Sequence, residues 1–252
     1  MNLFPVILGI IAGSTVALGS ILISKLRPNK VVMGYLGAFT GGILSYLALD
    51  TGSTAEEIVT NFLTSKDYFD FIIGIVLTSF GLFGTWIILS YMEKKEDVSS
   101  VPIVIASGLG IHNIGEGFAI AAALLSGSVS SALAFTIGFA FHNATEGIAI
   151  SSPTMMYKKV MKLKSLIALS MIAGLPTTLG ASVYYIGIAN ELFLAVLNVI
   201  ASASLVFVMI KVNITSASLL GGFRSKFWTW LFIGIAVTYS LESILTYLGM
   251  PS

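Results

Sequence analysis

The stretch VPIVIASGLGIHNIGEGFAIAAALL, residues 101–125, decides how the chain is read. It is long and apolar enough to cross a bilayer, which takes about 20 residues. Yet His112, Asn113 and Glu116 sit near its middle. Working outward, seven more segments have similar length and apolarity: Leu3–Ile23, Val31–Leu49, Phe69–Tyr91, Ser130–Ser151, Leu166–Ile188, Leu192–Ile210 and Phe227–Leu248. The chain therefore reads as an all-α polytopic membrane protein of eight transmembrane helices, forming a single domain over residues 1–252. Composition agrees. Of 252 residues, 56% are hydrophobic and 10% charged, against about 25% charged in an ordinary soluble domain. A mean hydropathy of +0.96 excludes a soluble enzyme, a nucleic-acid binder and a disordered chain. The lipid bilayer is the expected surrounding.

Lys and Arg set the expected orientation, because cytoplasmic loops are enriched in them. Lys25, Arg27 and Lys30 follow the first span, Lys94 and Lys95 the third, Lys158, Lys159, Lys162 and Lys164 the fifth, and Arg224 and Lys226 the seventh. With eight spans, eleven of the twelve loop cations fall on one side and only Lys66 on the other. The rich side is expected to be cytoplasmic, in the cell membrane, with both termini outside. The first span lacks a basic leader and exceeds the length of about 7–15 residues usual in a signal sequence, so it reads as retained. The acidic stretch Asp50–Tyr68 reads as the longest outer loop, either a solvated connector or a weak cation-collecting vestibule. Asn213-Ile214-Thr215 matches a glycosylation sequon, but this topology puts it inside.

Residues 108–120 and 138–150 are alike at an offset of thirty, with seven identical positions. His112, Asn113, Glu116 and Gly117 recur as His142, Asn143, Glu146 and Gly147, and these are the only two histidines. Residues four apart share one face of a helix, so each His points the same way as its Glu. Ionisable groups at that depth cost at least about 2.5 kcal/mol each unless paired or hydrated. A shared divalent metal relieves that cost, since imidazole and carboxylate both ligate zinc and its first-row neighbours. A buried His–Glu network without metal is the bland alternative. An intramembrane hydrolase is a third reading. However, the HExxH zinc-protease pattern is absent and the chain has no cysteine nucleophile, so an enzyme is not expected.

At these residues the chain resembles the ZIP (Zrt/Irt-like) family of divalent-metal transporters, in its prokaryotic GufA-like branch. The paired HNxxEG motifs carry the resemblance, and Ala173–Ala181 is similar to a glycine-rich segment of the family. The resemblance implies a 3+2+3 arrangement, with helices 1–3 and 6–8 as inverted repeats around helices 4 and 5. It also implies a metal site bridging helices 4 and 5, and a homodimer. By it, His112, Glu116 and Glu146 are primary ligands, Asn113 and Asn143 line an adjacent second site with the two glutamates, and His142 is a ligand or part of the release route.

The departures are specific. Gly115 and Thr145 stand where many relatives carry proline, Thr177 where many carry a carboxylate, and Ile43, Leu44 and Ser45 where many carry a methionine. One well-formed site is expected rather than a carboxylate-bridged pair, with Ser45 and Thr177 as pathway positions. Lys211 stands where relatives have an acidic stretch. It either snorkels to headgroups or supplies positive charge near Glu116 or Glu146. Glu242 either attracts cations at the entrance, carries a proton, or is a hydrated structural carboxylate. The expected function is movement of a divalent transition metal toward the cytoplasm, zinc before iron, manganese or cadmium. The alternative is a metal-binding sensor or structural membrane protein without transport.

Overall fold

The structure, a computed structural model, describes residues 3–93, 101–156, 161–187 and 190–247. They form helices α1 (Phe4–Leu26), α2 (Lys30–Thr64), α3 (Tyr68–Met92), α4 (Val101–Leu125), α5 (Val129–Met156), α6 (Leu163–Ala181), α7 (Glu191–Leu220) and α8 (Ser225–Tyr247), with no strand among the described residues. Short polar side chains open several of them, as expected of residues that satisfy free helix N–H groups. Asn29 accepts from Val32 N at 3.0 Å, Asp67 from Asp70 N at 3.2 Å, and Asn190 from Phe193 N at 2.9 Å. Gly221 closes α7 with φ 80°, a backbone that favours glycine.

Among the described residues, seven helices are long and apolar enough to cross a membrane. The eighth, α5, has 28 residues and so spans about 42 Å. Its lower apolarity comes from the polar set around His142. The chain is a polytopic helical membrane protein.

Three boundaries differ from the sequence expectation. The stretch read as the outer loop Asp50–Tyr68 is helical as far as Thr64. Ala55 and Val59 there remain buried, four residues apart on one face, while Thr51 and Thr54 hydroxyls bond back to Leu47 O and Asp50 O. Leaving the apolar zone thus ended the hydropathy signal but not the helix. Likewise α7 continues ten residues past Ile210, so Lys211 and Asn213 lie inside a helix. Finally, α6 tightens into a 3₁₀ turn, Ser182–Ile186, instead of running on. Lys94, Lys95, Lys158, Lys159, Ile188 and Leu248 lie outside the described residues.

The helices pair in a pattern with two-fold character. α1 packs on α5 and α6, and α6 packs on α4 and α1; α2 packs on α7 and α8, and α7 packs on α2 and α3. Exchanging α1 with α6, α2 with α7, α3 with α8 and α4 with α5 leaves these pairings unchanged. Successive spans alternate in direction, so exchanged helices run oppositely. This is the expected 3+2+3 arrangement of inverted repeats.

Glycines mark the symmetry at atomic scale. A methyl on Gly13 would lie 2.1 Å from Gly174 O, and one on Gly174 would lie 2.1 Å from Gly13 O. These two residues sit 161 apart. At the same interval, a methyl on Gly147 would lie 2.2 Å from Val16 O, and one on Gly117 would lie 2.0 Å from Thr177 O. The second glycine of each repeated motif therefore plays the same part against an outer helix. Small residues drive association in lipid because no hydrophobic force separates helix from acyl chain.

These close backbone contacts bind α1, α4, α5 and α6 into one group. A second group, α2, α3, α7 and α8, has its own, with Gly42 against Leu231 O and Gly234 against Phe39 O. The groups meet mainly where α4 and α5 face α2 and α7. There the contact is apolar, through Ile43, Leu44, Ile105, Leu109, Leu205 and Val208.

Gly13→Ala is expected to destabilise the folded protein by about 1–3 kcal/mol, the usual cost of overpacking. Gly84→Ala meets nothing within 4 Å and should be neutral. Thermal melting of the purified protein in detergent compares the two; equal melting points would contradict the interlock.

Candidate metal site

The polar residues of α4 and α5 converge because a tight turn joins the two helices. Gly127 takes φ 82° there, and Ser128 caps α5 through Ser131 N at 3.3 Å. The antiparallel pair then brings the two motifs face to face. Small residues at Gly117 and Gly147 let the outer helices close over them.

Glu116 is the centre of the cluster. Its Oε1 is hydrogen-bonded by His142 Nε2 across the helix pair, and His112 Nε2 lies 3.2 Å away along α4. Its Oε2 accepts from Asn143 Nδ2 at 2.9 Å. His112, Glu116 and His142 present ligand atoms all within 4.8 Å of one another, and all three residues are buried. The imidazole rings are 6.3 Å apart between centroids. A divalent ion suits this donor set of two nitrogens and a carboxylate.

The amides repeat the two-fold relation. Asn113 Nδ2 donates to Glu146 Oε2 at 3.0 Å and to Ala173 O at 2.9 Å. Asn143 Nδ2 donates to Glu116 and to Ala12 O at 3.4 Å. Ala12 and Ala173 are again 161 apart. Each asparagine thus pins the opposite motif's glutamate to a helix of the outer layer. The imidazoles break the symmetry, since both approach Glu116 and neither is bonded to Glu146. Glu146 Oε1 has no hydrogen-bond partner, nor have His112 Nδ1, His112 Nε2 and His142 Nδ1. An unsatisfied buried polar atom costs about 1–3 kcal/mol. Several together, all with lone pairs or protons to offer, make a place for a cation.

A cavity of about 510 Å³ leads to this cluster, with His112, Glu116 and His142 at its floor. Its walls are regular helix stripes. On α4, residues 112, 116, 119, 123 and 126 line it, and on α5, residues 131, 135, 138 and 142. It extends toward the end of the bundle that carries the α4–α5 turn, and Asp50 and Glu242 also line it.

The residues singled out from sequence separate into two sets. His112, Asn113, Glu116, His142, Asn143 and Glu146 come together as one network. Within it His142 joins His112 and Glu116, while Glu146 stands outside that group of three, bound to Asn113. Of the primary set that the resemblance implies, His112 and Glu116 lie in this close group, and the third member is His142, expected as a ligand or part of the release route, while Glu146 lies beside it. Repeated motifs cannot reveal which imidazole turns toward which glutamate. Glu242 lines the cavity, as an entrance residue would. Ser45 does not reach it; its hydroxyl donates to Gly41 O at 2.7 Å within α2. Thr177 is also absent from the cavity, fully buried where α6 meets α1 and α4, with Oγ1 unpartnered. Lys211 pairs with Glu93 at the end of α3 and lies 5.3 Å from the Phe207 ring centroid. That pairing directs its charge to Glu93 rather than to Glu116 or Glu146. The extension of α7 carries it alongside α3, where Glu93 is in reach.

Sequence reading put Asp50 in an outer loop, with a cation-collecting vestibule as one of two readings; the structure puts it on the cavity wall from within α2. The missing signal was the stripe Leu47, Asp50, Thr51 and Thr54, whose spacing is helical. Comparison of the chain with family models and with curated proteins gives no match. The functional reading therefore rests on the site itself.

Asn143→Leu strips Glu116 of its amide donor and should cost about 1–3 kcal/mol of stability. Ser45→Ala, which removes only a bond within its own helix, should melt like the parent protein. A detergent melting series checks both, and an unperturbed Asn143→Leu would contradict the pinning role.

Proposed function

We propose that this chain moves a divalent transition-metal ion, zinc foremost, across a membrane, and that it is a member of the ZIP family. The observation that carries the reading is the His112–Glu116–His142 group, buried between two apolar helices at the floor of an open cavity. A metal-free His–Glu pair would need no access to water. This group has a route from one end of the bundle, and its ligand atoms are gathered closely enough for one ion to touch all three.

The ion is the cargo. It enters the cavity hydrated and exchanges water for the two imidazoles and the Glu116 carboxylate. Asn143 holds that carboxylate in place through Oε2, leaving Oε1 for the ion. Glu146, pinned by Asn113 and free at Oε1, is the next oxygen ligand inward. The excess of Lys and Arg at the opposite end supports an outward-facing mouth and delivery to the cytoplasm. The two helix groups support an alternating-access mechanism. Close glycine contacts make each group a stiff unit, while an apolar seam between them leaves room for relative movement. No chemical step is required, so the protein is proposed to be a carrier rather than an enzyme.

Purified protein in sealed liposomes should take up zinc in a saturable manner. Glu116→Ala should reduce uptake to the level of empty liposomes while leaving the folded protein intact. Zinc held tightly with no uptake would favour a sensor, and undiminished uptake by the variant would overturn the assignment.

Acid should weaken binding, because imidazole and carboxylate ligate metal only when deprotonated. The sign is fixed: protons compete with the ion for every nitrogen and oxygen donor, so affinity falls as pH is lowered and never rises. Zinc titrations at descending pH read this out. A binding constant that strengthens with acid would contradict a site of imidazole and carboxylate ligands.

A further inference from the structure

The cavity above the site is poorly matched to a hydrated metal ion alone. Six waters at about 30 Å³ each occupy roughly 180 Å³, whereas the cavity holds about 510 Å³. That volume falls within the range usual for small organic ligands, about 300–1,000 Å³. Much of the wall is apolar. Phe135 and Phe139 stack in parallel on α5, with centroids 5.7 Å apart and planes within 5°. Ala119 and Ala123 face the same space from α4.

Thr51, Thr54, Ser126, Ser131 and Asn198 add neutral polar groups to the wall, but away from the floor its charge is of one sign. Asp50 of α2 and Glu242 of α8 are its carboxylates away from the floor, and no Lys or Arg lines it. At the floor, His112 is 3% exposed; its Nε2 faces Glu116 Oε1 at 3.2 Å, and its Nδ1 has no hydrogen-bond partner. A neutral imidazole nitrogen accepts a hydrogen bond. The cavity therefore combines two carboxylates, an unpartnered buried acceptor, and aromatic faces that attract cations.

We infer that this cavity is a binding site for an amphipathic organic ammonium, with the charged head toward Asp50 and Glu242 and the apolar body against Phe135 and Phe139. A primary ammonium brings a full positive charge and three hydrogen-bond donors. An organic carboxylate of the same shape meets only like charge. A neutral alcohol of that shape has the apolar wall but not the charge pairing. Such a ligand covers the floor, so it closes the route to His112 while bound. The cavity supports this whether or not a metal visits the floor.

Three probes of matched shape test it on the full chain in detergent: phenylbutylammonium, phenylbutanol and phenylbutanoate. Binding is read by calorimetry, with empty micelles subtracted for partitioning. The ammonium should bind at least about ten-fold more tightly than the alcohol, the equivalent of one charge-assisted contact, and the carboxylate should not bind. In Asp50→Asn/Glu242→Gln the preference for the ammonium should disappear. In Phe135→Ala the ammonium and the alcohol should weaken together. Equal binding of ammonium and alcohol to the parent protein would overturn the inference, and that comparison needs no variant to fold. A preference that survives in the double variant would equally overturn it, by showing that the charge is recognised elsewhere. Ammonium binding without metal uptake would leave this site standing and remove the transport reading; the reverse result would do the opposite.

Discussion

A carboxylate buried between two apolar helices must be held by partners, and Glu116 is held from three directions. His142 reaches it across the helix pair, His112 lies beside it along its own helix, and Asn143 ties its second oxygen. The remaining architecture follows from making that arrangement possible in lipid. Because neither ionised nor neutral polar groups are tolerated there without partners, the two motifs must face each other and be sealed by outer helices. α1 and α6 do the sealing, and each contributes one backbone carbonyl, Ala12 or Ala173, to the opposing asparagine.

The glycines explain how the sealing helices come so near. Gly117 and Gly147 each follow a motif glutamate by one residue, and each lies against the backbone of α6 or α1. A side chain at either position would push the outer helix away and lengthen the amide contacts one turn along. The close packing of α1, α4, α5 and α6 is therefore part of the site rather than a frame around it. The other four helices touch this unit mainly through apolar side chains. The division of the bundle into a rigid ligand-bearing part and a separate wall thus has a physical origin in residue size.

Much of this was legible in the sequence. Hydropathy located the spans because lipid selects for long apolar runs, and the thirty-residue repeat located the polar network. The ends of α2 and α7 were not legible, since a helix leaving the bilayer keeps its backbone bonds while losing its apolar signature. Asp50 was therefore misplaced in a loop, and Lys211 was put too near a helix end to suggest Glu93 as its partner. The asymmetry between His142 and Glu146 was hidden for another reason: two copies of one motif look alike until rotamers are seen. The larger repeat, 161 residues apart, was hard to see because it conserves close backbone approach more than side-chain identity. Among the positions discussed, Ala12 and Ala173, and Gly13 and Gly174, match in residue type, while Val16 and Thr177 do not.

The central claim is that one metal ion is held jointly by His112, Glu116 and His142. X-ray absorption at the zinc edge of the zinc-loaded, purified protein tests it most directly. The account predicts a low-coordinate site with two imidazole nitrogens at about 2.0–2.1 Å and oxygen in the remaining positions. In Glu116→Gln and in His142→Ala that signature should be lost or reduced by one ligand. An oxygen-only shell in the parent protein, or a spectrum identical in both variants, would contradict the claim.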